Sequence, residues 1–137
     1  MKILFLLITL TIFKITNAQK AEWYICFNQD NNGKMAISAA FGGKNGYLLY
    51  LKYKGQKDSI RIKFVKEKVY MGGAHPTIDQ TYNEIFNNKI TGTYTYTHSG
   101  IWDYLQYKRK KDGKVFDFTI NHDETYGDKE YREVPCY

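Results

Sequence analysis

Proline is nearly missing from this chain: Pro76 and Pro135 are the two in 137 residues. With aromatic residues at 17% and charged residues at 25%, that scarcity excludes a proline-rich or disordered polymer. Cysteine is equally sparse, at two residues, which is too few for a disulfide-dense miniature scaffold or a cysteine-built zinc site. No stretch sustains an apolar repeat of 3.6 residues, so helical bundles and coiled coils are excluded. Gly42-Gly43 and Gly72-Gly73 lack the following lysine and helix of a phosphate-cradling loop. A triad built on Ser99 would need a base and an orienting acid, and the sequence offers no nucleophile-elbow pattern around it. His122-Asp123-Glu124 places three potential ligands side by side, yet adjacent loop residues rarely converge on one ion and no second histidine lies at ligand spacing. His75 and His98 read as turn residues. The expectation is a protein without a metal, a cofactor or an enzymatic activity.

What is present begins with a secretory pattern. Lys2 precedes an apolar and threonine-containing run from Ile3 to Phe13, and Thr16-Asn17-Ala18 supplies small residues for cleavage. The run is shorter than the roughly 20 apolar residues that cross a bilayer. Residues 1–18 are therefore expected to be a signal peptide and residues 19–137 a single domain, secreted or periplasmic, with no membrane span. Removing Lys2 and Lys14, in a segment with no acid, takes the formal charge from +6 to +4. That balance is too modest to imply nucleic acid. In an oxidising compartment Cys26 and Cys136, one near each end, are expected to pair within the chain.

The remaining sequence alternates at period two. Trp23, Ile25 and Phe27 share one face of a first strand, and Met35, Ile37, Ala39 and Phe41 mark a second. Tyr47–Tyr53 and residues 60–65 read as a third and fourth strand. Between them, a loop at Gly55-Gln56 pairs Leu51 with Ile60, and a loop at Asp58-Ser59 pairs Tyr53 with Phe64; both keep the same apolar face. A short strand follows at residues 68–71, then another from Ile78 to Phe86 that turns at Asn87-Asn88. A last strand at residues 131–137 returns Cys136, with Pro135 marking an edge.

Residues 90–120 are the most legible stretch. Asp112-Gly113 favours a two-residue mirror-image turn. That turn pairs Lys111 with Lys114, Arg109 with Phe116, Tyr107 with Phe118 and Leu105 with Ile120. It also sets Lys108 against Asp117 and Gln106 against Thr119 on the polar face. An even-length loop near His98-Ser99-Gly100 puts Tyr94 and Tyr96 on the apolar side. Thr91, Thr93, Thr95 and Thr97 then join Trp102 and Tyr104 on the other. The predicted fold is all-β: a single-domain antiparallel β-sandwich or flattened β-barrel of about eight or nine short strands, with one disulfide joining the terminal strands. Eight residues from Gly46 to Phe64 recur 54 positions later, from Gly100 to Phe118, as a duplicated hairpin or two convergent ones would.

Two surface features stand out. Trp102 and Tyr104 occupy an outward face that is otherwise threonine-rich, which suits stacking against a sugar or a protein. Lys108-Arg109-Lys110-Lys111 forms a basic hairpin tip, a solubilising feature that also offers Lys108 and Lys110 as anion contacts. These four positions, Trp102, Tyr104, Lys108 and Lys110, are the candidate ligand-binding residues of a monomeric module for an extracellular protein or glycan.

Tyr24-x-Cys26 near the mature N-terminus, Cys136 near the C-terminus and a small tyrosine-rich β domain resemble the secreted inhibitors of c-type lysozyme. Ser99-Gly100 echoes their serine–glycine loop, though the spacing to the next tyrosine differs. The resemblance implies inhibition of an extracellular hydrolase, and the loops at residues 72–77 and 98–102 are the ones such an inhibitor would use here. The net positive charge opposes encounter with a cationic lysozyme. A lipocalin-like carrier is the other alternative. It requires an open apolar interior, which a core of Tyr94, Tyr96, Tyr107, Phe116 and Phe118 would fill.

Overall fold

The computed structural model describes residues 19–128 and 130–137, so the expected signal segment lies outside the described residues. Eight strands follow one another: β1 (Trp23–Gln29), β2 (Ala36–Gly42), β3 (Tyr47–Tyr53), β4 (Ile60–Tyr70), β5 (Thr77–Phe86), β6 (Lys89–Ser99), β7 (Trp102–Arg109) and β8 (Val115–Ile120). Each pairs antiparallel with the next, and β8 returns to β1 through Phe27 opposite Ile120, closing a barrel. Closure removes the sheet edges that a sandwich would leave.

Alternation decides what lies inside. Ile25 and Phe27 of β1, Ile37, Ala39 and Phe41 of β2, and Leu48 and Leu51 of β3 are buried in the core. Tyr82, Tyr94, Tyr96, Leu105, Phe118 and Ile120 fill it from the other side. Buried phenols find partners: Tyr82 donates to Gln80 Oε1 (2.6 Å) and accepts from the Leu48 amide (3.0 Å). Apolar side chains face in while threonines and lysines face out, the reverse of a transmembrane barrel. No helix among the described residues is long and apolar enough to cross a membrane.

The β6–β7 turn has the expected even length. Ser99 faces Trp102, Tyr96 faces Leu105 and Tyr94 faces Tyr107. Asn87 and Asn88, both at positive φ, form the expected tight turn between β5 and β6. Between β3 and β4, Leu51 pairs with Ile60, the register of the Gly55-Gln56 loop.

Three expectations need correction. The β7–β8 hairpin is displaced by two residues: Tyr107 faces Phe116, Leu105 faces Phe118, Gln106 faces Asp117 and Lys108 faces Val115. The loop holds four residues, closed by the Arg109 amide donating to Lys114 O and the Gly113 amide donating to Arg109 O, both at 2.8 Å. Asp112 is used inside the turn. It accepts from Arg109 Nε (3.0 Å) and Nη2 (2.7 Å) and from the Lys114 amide (3.1 Å). Because the displacement is even, the inward set is unchanged. The Lys108–Asp117 pair is lost, and Asp117 accepts from Gln106 instead (2.8 Å).

Second, the separate strand expected at residues 68–71 is the end of a continuous β4. A bulge between Phe64 and Lys66 switches the inward parity, so Phe64 faces Tyr82 but Glu67 faces Gln80. Third, residues 131–137 make isolated bridges at Tyr131 and Arg132 and no strand. They wrap the outside of β1 and β2 together with a one-turn helix, α1 (His122–Thr125). Cys26, on the outer side of β1, is bonded there to Cys136. Thr125 seals the junction, its hydroxyl accepting from the Cys26 amide at 2.9 Å, and Cys136 N donates to Ser38 Oγ at 3.0 Å. A disulfide of this kind is compatible with an extracellular or periplasmic location.

Candidate functional site

Two regions of the barrel set exposed aromatic or apolar side chains beside polar groups able to contact a ligand: the outer face of β7 and the mouth bounded by the β3–β4, β5–β6 and β7–β8 turns.

On β7, inward Asp103, Leu105 and Tyr107 alternate with outward Trp102, Tyr104, Gln106 and Lys108. Trp102 and Tyr104 remain 44% and 41% exposed. Their rings lie 6.3 Å apart and within 13° of parallel, two slats along one strand. His122 from α1 packs beside Trp102 (4.7 Å between centroids), and its Nε2 lies 3.1 Å from Ile101 O. The C-terminal wrap thus buttresses Trp102 without covering it. Thr97 and Thr119 lie opposite Tyr104 on the two flanking strands. Gln106 and Asp117 add a bonded amide–carboxylate pair one step further along. Of the four expected contact residues, Trp102, Tyr104 and Lys108 share this row. Lys110 does not: it lies in the β7–β8 turn and lines the mouth.

The mouth is an open cleft of about 1610 Å³. At its inner end Glu84 gathers three hydroxyls. Its Oε1 accepts from Thr91 and Tyr107, each at 2.7 Å, and its Oε2 from Tyr94 at 3.2 Å. Tyr94 and Tyr53 are joined by their hydroxyls at 2.9 Å. Burial and the hydrogen bond to Glu84 both push the Tyr107 phenol up. Burial takes Tyr53 to about 12, against the lowering effect of its bond with Tyr94. Phe86 and Ile90, 65% and 44% exposed, line the cleft with Ile60. Lys57, Arg61, Lys89, Lys110 and Lys111 surround them. Ion pairs among the described residues are His98–Asp103 and Arg109–Asp112, so none of these five cations is in one, and they outnumber Asp58 and Glu84, the acids of the lining.

A third cluster lies toward the opposite end. Asp103 is fully buried, its Oδ1 accepting from Tyr96 at 2.6 Å and lying 2.7 Å from His98 Nδ1. Its Oδ2 has no partner. His98 is therefore a strand residue tied to a buried acid, not a turn residue. Ser99 Oγ turns away to Thr77 Oγ1 (3.1 Å), so the neighbouring serine is bonded elsewhere. Asp103 was findable from parity, since it shares the inward face with Leu105. Glu84, inward with Tyr82, was findable in the same way. His122, Asp123 and Glu124 form α1, where Glu124 accepts from Tyr137 (2.7 Å) and Asn121 caps the Glu124 amide (3.2 Å). No family model, curated protein or solved structure matches the chain.

Proposed function

We propose that this chain is a secreted or periplasmic, non-enzymatic binding module that recognises an extracellular protein or glycan through the outer face of β7. The observation that supports this reading is the bare, near-parallel Trp102–Tyr104 pair flanked by Thr97, Thr119, Gln106 and Asp117. Flat aromatic faces held on a closed barrel lose little freedom on contact, and flanking hydroxyl and amide groups supply directional bonds. Both side chains point outward, so truncating them leaves the core intact. A Trp102→Ala/Tyr104→Ala variant should therefore keep its circular dichroism and melting temperature. It should lose, by about tenfold or more, the glycan or protein that the wild type retains from its native extracellular medium. A glycan panel run beside that capture separates the two ligand classes. Undiminished retention by the folded variant rejects this face.

A second reading, inhibition of an extracellular hydrolase, is favoured by the two loops at one barrel end. His75 of the β4–β5 loop lies against Gly100 of the β6–β7 turn, and Met71 and Ile101 beside them are 83% and 68% exposed. A panel of lysozymes and proteases assayed with wild type and Ile101→Asp tests it: inhibition lost in the variant supports the loop, and no inhibition of any enzyme rejects it.

A further inference from the structure

We propose that the barrel mouth is a separate binding site for a monomeric anionic amphiphile, a single-chain alkyl carboxylate in chemical class. The inference is independent of the β7 face and can fail or stand without it. The middle of the barrel is closed: Tyr82, Tyr94 and Phe118 are essentially fully buried there. A ligand has only the outer cup, whose lining offers both apolar and cationic side chains. Phe86 and Ile90, at the ends of β5 and β6, leave large apolar surface in a place where a hairpin tip is ordinarily polar. The five cations outside any ion pair come from three places along the rim: Lys57 and Arg61 from the β3–β4 turn and the start of β4, Lys89 from the start of β6, and Lys110 and Lys111 from the β7–β8 turn.

Charge also sets the orientation. Glu84, held by three hydroxyl donors at the inner end, repels an acid group from the floor. Lys89, Lys110 and Lys111 attract it to the rim. An acid headgroup therefore sits outermost and its hydrocarbon chain lies inward over Phe86, Ile90 and Tyr107. An alkyl ammonium has the opposite preference at both ends: it is repelled at a rim where the five cations outnumber Asp58, and Glu84 on the floor is already hydrogen-bonded. A short acid such as acetate reaches the cations but gains nothing from the apolar wall.

Isothermal titration with dodecanoate, kept below its aggregation concentration, should show saturable binding at one site. Octanoate should bind at least about tenfold more weakly, because each fully buried methylene contributes roughly fourfold and an open cup recovers part of that. Dodecylamine and acetate should bind at least about tenfold more weakly than dodecanoate. Two variants change exposed residues: Lys110→Glu/Lys111→Glu should lose headgroup attraction, and Phe86→Ser/Ile90→Ser should lose the chain-length dependence. Trp102→Ala/Tyr104→Ala should bind dodecanoate as the wild type does, which separates this site from the β7 face. Equal binding of dodecylamine, non-saturating uptake, no binding at all, or full affinity in the charge-reversed variant would each overturn the proposal.

Discussion

The barrel should lose stability in alkali once the pH passes 10, because its interior is packed with phenols. Tyr82, Tyr94 and Tyr96 are 1%, 0% and 7% exposed. Burial is the largest cause raising each phenol above the usual 10. Tyr96 is pushed further by Asp103, and Tyr94 by Tyr53 and Glu84, while the Leu48 amide works the other way at Tyr82. The folded chain thus holds these protons more tightly than the unfolded chain. Their contribution is complete below pH 10 and is lost as the pH climbs past it. By pH 11 each lowers the unfolding free energy by about 1.4 kcal/mol, about 4 kcal/mol for the three. That is a large part of the roughly 5–15 kcal/mol typical of a domain. Urea midpoints at pH 8 and pH 11, with tyrosinate absorbance followed in the same samples, test the reasoning. Part of the thirteen-tyrosine signal should appear only as β structure is lost, and Tyr94→Phe should remove about 1.4 kcal/mol of the alkaline penalty. If all thirteen ionise smoothly near pH 10 while the circular dichroism stays intact, the packed-phenol interior is refuted.

Other consequences are simpler. Replacing both Cys26 and Cys136 with alanine opens a 110-residue separation and should cost about 5 kcal/mol in urea unfolding; a loss under 1 kcal/mol would mean that the wrap holds without it. A Cβ at Gly92 would run into the Tyr107 ring. Gly92→Ala should therefore displace that ring from Glu84 and destabilise by about 1–3 kcal/mol, and an unchanged midpoint would contradict the packing. The β3–β4 seam consists of two residue pairs, Tyr50–Arg61 and Leu51–Ile60. Amides on β4 beyond Arg61 should exchange with solvent faster than those of β6, which is laddered on both sides. Uniform protection across the barrel would deny that the seam is its weak side.

Parity was the legible quantity in this sequence, and register was less so. The inward positions of Tyr94, Tyr96, Leu105 and Phe118 follow from alternation alone, and so does the outward row that carries Trp102 and Tyr104. The two-residue displacement at Asp112 was not visible, because it depends on Arg109 capturing a carboxylate that a shorter turn would have left free. The bulge at Val65 breaks the alternation of β4 by one residue, which reads in sequence as the end of one strand and the start of another. The C-terminal segment keeps aromatic residues for packing on the outside of the barrel. Tyr131 lies beside Trp23 and Tyr126, a use that composition does not distinguish from a strand. The mouth was out of reach for a different reason: its cations come from turns near residues 57, 89 and 110, and only closure brings them together.

The account depends most on the outer face of β7 being the surface that meets a partner. An NMR titration of the wild-type chain with the glycan or protein it retains measures this directly. The Trp102 indole resonance, identified by its absence in Trp102→Phe, and the methyls of Thr97 and Thr119 should move together and saturate with the ligand. A saturating titration that leaves Trp102 and both threonines unmoved, with shifts confined to other strands, would contradict it.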